Sequence, residues 1–283
     1  LRNIEIVKSL GLTKQEVKRL NNNTFEILGL ELKKVKRIRS LSFIQGTMVN
    51  FLQQMITFTL LFLIFKNIDL YFEFANSFNK NERKNILINV IQDRLNIENK
   101  ELFKKNIDLI FQKFENISNE FQIGTTINRL KWGFFSTEEF MNFYMVASKI
   151  KEDKYPNIKL LGPSVIDFEY YYNARAMFNL KKIKYDITSA LLYVDRRGAP
   201  QNSQYGIFDL KNKIDMLFSL VKMSPKTLSD DIYITEVNWP ISNTAPYAPT
   251  SEKECVSCDD YTKYMLDYFK IAQDSRKIKR VYW

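Results

Sequence analysis

Short apolar runs alternate along this chain with longer stretches in which apolar positions recur about every three to four residues, a rhythm that predicts strands interleaved with helices. The strand-like runs cover residues 35–44, 68–75, 121–126, 159–166, 189–194, 232–237 and 279–283. Helical spacing runs through 49–65, 81–96, 100–117, 137–151, 211–223 and 260–273. Local signals agree with these limits. Ser136-Thr137-Glu138-Glu139 supplies a hydroxyl cap and early carboxylates ahead of an apolar face of Phe140, Phe143, Tyr144 and Ala147. Pro156-Asn157 marks the end of that helix before the strand at Lys159.

Strands alternating with helices signal a parallel α/β architecture. Seven such strands, with one more hidden near the N-terminus, lead to a (β/α)8 barrel as the fold class. Nothing in the middle resembles a linker, and no repeat or low-complexity tract is evident, so residues 1–283 are expected to form one domain. The chain opens on Leu1 rather than Met and stops within its last strand, at Val281-Tyr282-Trp283. The barrel is therefore expected to be incomplete at its N-terminal strand and its C-terminal helix, as a fragment or as an incompletely closed barrel.

In such barrels chemistry is carried at the carboxyl ends of the strands. That directs attention to Asp231-Ile-Tyr-Ile-Thr-Glu-Val-Asn-Trp-Pro240, in which Ile232 and Ile234 alternate with Tyr233 and Thr235 and Pro240 stops the pairing. Glu236 ends this strand beside aromatic and amide side chains, which makes it the first candidate for a functional residue.

Composition narrows the chemistry. With 45% hydrophobic residues over 283 positions the chain can bury a large core. It contains no histidine, which excludes Ser-His-Asp triads and removes the usual general base and the commonest metal ligand. Acid/base work must fall on carboxylates, Tyr, Lys or Cys. The formal charge of +10 raises nucleic acid, acidic polysaccharide or an anionic membrane surface as partners. The basic residues are spread along the chain, however, and the one dense run, Lys33-Lys34-Val35-Lys36-Arg37-Ile38-Arg39, reads as a solvated approach to a strand. It lacks the glycine and aromatic pattern of an RNA-binding sheet, so no nucleic-acid partner is expected.

Cys255 and Cys258 form a lone C-x-x-C with neither a second pair nor a histidine to complete a zinc site and no thioredoxin-like context. They read as loop thiols, with intermolecular zinc or a disulfide as the alternatives, and neither metal nor cofactor is expected. The most apolar run, Met55 to Phe65, is eleven residues, too short to span a bilayer as a helix, and reads as a core helix. With no secretory signal visible at the start, a cytoplasmic location is expected.

Ile234-Thr235-Glu236-Val237-Asn238-Trp239 resembles the nucleophile segment of the clan A glycoside hydrolases. These are (β/α)8 enzymes that carry an acid/base glutamate after strand four and a nucleophilic glutamate after strand seven. Phe121-Gln-Ile-Gly-Thr-Thr-Ile-Asn-Arg-Leu-Lys-Trp-Gly133 is similar to the clan's Ile-Gly-Asn-Glu-Pro-Asn type of strand-four motif, with Thr125-Thr126 where the Asn-Glu pair belongs. The resemblance spans roughly residues 35–283. It implies retaining hydrolysis of a glycosidic bond in a bacterial cell-surface or other complex glycan, with Glu236 as nucleophile.

Retaining hydrolysis needs two carboxyl groups roughly 5 Å apart, and threonine cannot serve as the second. Asp195, at the end of the strand 189–194, is the expected stand-in acid, with Glu73 and Asp167 behind it. The bland reading of Asp195 is a loop carboxylate paired with Arg196 or Arg197, and that of Glu236 a buried carboxylate held by Arg129. Asn128 and Arg129 are expected beside Glu236, able to hold a sugar hydroxyl or an anionic substituent of a carbohydrate ligand. Trp132, Trp239 and Trp283, with Tyr193, Tyr247 and Asn238, are expected to line the rim, where flat side chains stack on pyranose rings. The long loop from Trp239 to Thr250 is expected to shape the cleft. The rival reading is a catalytically inactive carbohydrate-binding or scaffold barrel that has lost its acid.

Overall fold

Among the described residues six strands, all parallel, form one sheet whose order follows the chain from first to last. They are β1 (Ile88–Val90), β2 (Glu120–Ile123), β3 (Lys159–Ile166), β4 (Ile187–Leu191), β5 (Ile232–Ile234) and β6 (Arg280–Val281). The computed structural model describes Lys18, Ile27 and residues 29–37, 68–82, 86–194, 198–242 and 255–283. The chain divides into two compact units, Leu1–Tyr71 and Phe72–Trp283, and all six strands belong to the second. In the first, residues 29–37 are helical and largely exposed.

Among the described residues, seven α-helices connect or flank the strands: α1 (Ile68–Glu82), α2 (Arg94–Glu98), α3 (Lys100–Phe114), α4 (Thr137–Lys154), α5 (Tyr170–Met177), α6 (Leu210–Met223) and α7 (Cys258–Ser275). Helix starts are set by short polar side chains: Asn99, Ser136, Asp209 and Ser257 each accept a hydrogen bond from a backbone N–H of the first turn of α3, α4, α6 and α7. No described helix is long and apolar enough to cross a membrane.

The sheet is curled, and three side chains prove it. The Tyr233 hydroxyl on β5 donates to Glu120 Oε1 on β2 at 2.8 Å, and Arg280 Nη1 on β6 donates to Glu120 Oε2 at 2.5 Å. In a flat sheet with strands about 4.8 Å apart, β2 would lie about 14 Å from β5 and about 19 Å from β6. Only a barrel brings them together. Inside it Leu161, Ile187 and Tyr233 pack with Leu87 and Tyr282. Outside it Ile232, Ile234, Leu217, Val221, Tyr268 and Trp239 form a layer between sheet and helices. The described residues thus supply six of the eight strand positions of a (β/α)8 barrel, the third to the eighth in the strand numbering that the sequence resemblance implies.

Most predicted elements stand where the pattern put them, and β3 matches its predicted limits in full. Three expectations are corrected. Residues 68–75 are not a strand but the start of α1. Ile68, Leu70, Phe72 and Phe74 alternate, while Ile68, Phe72 and Ala75 satisfy helical spacing, and Phe72 packs edge-on against Phe114 at 5.9 Å between ring centroids. Glu73 is therefore on the exposed side of a helix rather than at a strand end. Residues 81–96 are not one helix, because Ile88–Val90 pairs in register with Phe121–Ile123. A short apolar run does not reveal by periodicity alone which of the two it is. Of the predicted strand 35–44, residues 35–37 are helical and the rest lies outside the described residues, as do the predicted helix 49–65 and the run Met55 to Phe65.

One close approach fixes the β3 core. A methyl group on Gly162 would meet the Tyr185 ring at 2.9 Å and the Tyr144 ring at 3.0 Å. Both tyrosines are fully buried, so neither ring has room to retreat. Gly162→Ala is expected to destabilise the protein by about 1–3 kcal/mol through overpacking, read as a drop of several degrees in thermal midpoint. An unchanged midpoint would contradict this packing.

Candidate functional site

Because all six strands run the same way, their carboxyl ends share one rim, and the loops that leave it from β2 to β5 carry the candidate residues. Glu236 lies two positions past β5 and is exposed, while Val237 and Trp239 on either side of Asn238 turn back into the outer core. The alternation shifts phase by one residue at Thr235, so that Val237 and Trp239 join Ile232 and Ile234 in the outer core and Glu236 and Asn238 are left exposed. The Tyr193 hydroxyl, two positions past β4, donates to Glu236 Oε1 at 2.5 Å. Tyr193 is itself positioned from below: Lys213 of α6, almost fully buried, donates to the Tyr193 carbonyl at 3.4 Å and to Gln204 Oε1 at 2.8 Å. Tyr268 of α7 donates to the Leu192 carbonyl at 2.7 Å. Burial pushes the Tyr268 hydroxyl pKa up, so it stays a donor.

The β2 end is clamped. Gln92, past β1, accepts from the Thr125 N–H at 2.9 Å and donates to the carbonyls of Thr125 at 2.8 Å and Trp132 at 2.7 Å. The Thr126 N–H bonds to the Ser164 carbonyl at 2.9 Å, and the two threonine hydroxyls face each other at 3.3 Å. Both threonines are buried.

Asn128 acts as a surrogate strand edge for β3. Its Oδ1 accepts from the Ile166 N–H at 3.0 Å, and its Nδ2 donates to the Ile166 carbonyl at 2.9 Å and to Glu169 Oε2 at 2.8 Å. Both amide hydrogens are therefore engaged within the protein. Arg129 forks between two carboxylates, Nη2 on Asp167 Oδ2 at 2.6 Å and Nη1 on Glu169 Oε1 at 2.5 Å. Burial works against its charge, and the bonds from Glu169 and Asp167 outweigh that, so its pKa stands above the ordinary arginine range. Asp167 holds a left-handed backbone at φ 59°, unusual for a residue other than glycine.

Of the residues expected from sequence, the structure places Asn128 and Arg129 together past β2, and joins Tyr193 to Glu236. Arg129 bonds to Asp167 and Glu169 in the described structure. Trp132 is exposed on the short 3-10 turn after β2, with Lys131 Nζ 5.7 Å from its ring centre. Trp239 is buried, donates through Nε1 to the Gly198 carbonyl at 3.1 Å and stacks on Trp283 at 5.1 Å. Trp283 is half-buried and donates to the Tyr261 hydroxyl. Asp195 and Tyr247 lie outside the described residues, as does most of the loop from Trp239 to Thr250. Cys258 is an exposed free thiol, and Cys255 is half-buried. Among the described residues no cluster of three or more His, Cys, Asp or Glu side chains could hold a metal ion.

Sequence reasoning missed Glu169 and Gln92. Glu169 precedes α5, a helix the periodicity did not reveal. The signal was the Asp-Phe-Glu triplet directly after the longest apolar strand. Gln92 stood inside a stretch read as helix.

Comparison with solved structures agrees with this geometry. The chain is similar in fold to the GH53 catalytic domain of Ignisphaera aggregans, with a TM-score of 0.53 and 16% identity over 75% of this chain and 66% of that one. It is similar to the β-glucosidase from Thermotoga maritima in complex with castanospermine, with a TM-score of 0.53 and 12% identity over 76% of this chain and 67% of that one. It is also similar to a glucosidase from Croceicoccus marinus, with a TM-score of 0.51 and 15% identity over 73% of this chain, yet it covers only 42% of that enzyme's length. At these identities the likeness is one of fold, the (β/α)8 barrel on which those glycoside hydrolases are built. No protein-family model matches the chain, and no curated protein matches it in sequence.

Proposed function

We propose that this barrel is a glycoside hydrolase-like protein that cleaves a glycosidic bond with retention, Glu236 attacking the anomeric carbon. The observation that carries the reading is Glu236 itself: a solvent-facing carboxylate past β5, oriented by a tyrosine from the neighbouring strand end. A hydroxyl donating to one carboxylate oxygen fixes the side chain and leaves the other oxygen to attack. Trp132 offers an exposed indole for stacking on a sugar ring. The solved glycosidases of similar fold make glucosides the first sugars to try. A complex or cell-surface glycan remains the proposed natural source of the bond, and Asp195 a proposed stand-in acid.

A second reading, carbohydrate binding without catalysis, is favoured by Thr125 and Thr126, buried and clamped at the place where an acid is required. A panel of nitrophenyl glycosides in both anomeric forms separates the two. Release of nitrophenol by the wild type and not by Glu236→Gln supports hydrolysis, whereas saccharide binding by calorimetry with no release from any member supports the binding barrel.

A further inference from the structure

We infer that Lys213 is a positioning residue for the proposed nucleophile: its buried ammonium holds the turn that aims the Tyr193 hydroxyl at Glu236. This rests on the proposed function. The other side chains that α6 buries are apolar, Leu210, Ile214, Leu217, Leu220 and Val221, and Lys213 among them is 1% exposed. Taking an ammonium out of water is costly unless hydrogen bonds replace its hydration, so a helix that needed only packing here would carry leucine or methionine. The flexible stem of a lysine instead carries the charge to the strand ends. There Nζ donates to Gln204 Oε1 at 2.8 Å and to the Tyr193 carbonyl at 3.4 Å, and stands 5.4 Å from the ring centre of Phe168. Gln204 is itself fixed, exchanging backbone hydrogen bonds with Phe208 at 2.9 and 3.0 Å. One charge thereby ties together the chain segments that leave β3 and β4.

The exit from β4 shows what this tie does. Where the ladder ends, three successive carbonyls take partners from other parts of the chain. Leu191 accepts from the Asp167 N–H at 2.9 Å and the Tyr193 N–H at 3.1 Å, Leu192 from the Tyr268 hydroxyl at 2.7 Å, and Tyr193 from Lys213. The Tyr193 N–H bonded back to Leu191 closes a tight three-residue turn. With its N–H held by Leu191 and its carbonyl by Lys213, Tyr193 directs its hydroxyl onto Glu236 Oε1 at 2.5 Å.

The test is a double-mutant cycle on Lys213 and Tyr193, read as kcat and KM on 2,4-dinitrophenyl glycosides of several sugars beside a thermal melt of each variant. Misplacing a reacting group by about 1 Å costs about 10²-fold. Lys213→Met and Tyr193→Phe are each expected to lower kcat by about 10- to 10²-fold. KM should stay unchanged, because aiming the nucleophile acts on bond formation and not on sugar binding. In the Tyr193→Phe background, Lys213→Met is expected to change kcat by no more than about 2-fold, since the hydroxyl it aims is gone. A lysine that only supports the fold would lower the melting point and leave kcat alone, or lower kcat by the same factor with and without the hydroxyl. Either result would overturn the inference and leave Glu236 catalysis standing. Where Lys213→Met does not melt cooperatively, Gln204→Met, which removes the amide oxygen that anchors the ammonium, takes its place in the cycle under the same criteria. No nitrophenol release by the wild type above the Glu236→Gln background would overturn both this inference and the proposed function.

Discussion

Glu236→Gln is expected to lower turnover of an activated aryl glycoside about 10⁴-fold or more, equivalent to about 5.5 kcal/mol in the barrier. The amide keeps the shape and can still accept the Tyr193 proton at its carbonyl, so the loop past β5 stays in place. It cannot form the glycosyl ester, and the whole covalent route closes. Because Glu236 is exposed, the substitution should change stability by no more than about 0.5 kcal/mol. Steady-state kinetics beside a thermal melt check both halves. A variant that keeps most of its activity would remove Glu236 from the chemistry, and one that fails to melt cooperatively would make it a structural residue.

Glu120→Ala is expected to destabilise the protein by about 3–5 kcal/mol, the cost of breaking a largely buried ion pair from one side. Glu120 is 8% exposed and joins β2 to β5 and β6 through its two oxygens. Its removal leaves the Arg280 guanidinium and the Tyr233 hydroxyl facing each other inside the barrel. Burial first, and the bond to Glu120 second, hold the Tyr233 pKa above the ordinary tyrosine range, so this hydroxyl is a committed donor. Replacing both charged partners with leucine and methionine should recover much of the loss, since the desolvation of Arg280 disappears with its charge. Urea denaturation of the two single variants and the double variant measures this. A loss below about 1 kcal/mol for Glu120→Ala would contradict the role of this trio in closing the barrel.

The trio was not legible in the sequence, although the strands that carry it were. Glu120, Tyr233 and Arg280 are separated by 113 and 160 positions from first to second and first to third, and no local pattern announces a bond across a barrel interior. The strands β2 to β5 could be read because both of their faces are buried, which leaves short apolar runs bounded by turn residues. β1 and α1 could not, since a three-residue strand inside a polar stretch and an amphipathic helix with near-alternating residues each fit the opposite period.

At the rim, Glu236 was readable because a carboxylate after an alternating strand is conspicuous. What Arg129 binds was not, because its partners lie on the next strand end, 38 and 40 positions away. Trp239 looked like a rim residue from its position, and its ring is buried because Val237 and Trp239 both turn into the outer core after β5.

The account depends on Glu236 forming a covalent bond to sugar, and trapping reads that bond directly. Incubation with an activated 2-deoxy-2-fluoro glycoside slows the second step, so the intact protein should gain the mass of one fluoroglycosyl unit. Fragment masses should place it on the peptide containing Ile234-Thr235-Glu236-Val237. Label on another residue, or hydrolysis of the same sugar's aryl glycoside with no label at Glu236, would contradict the account.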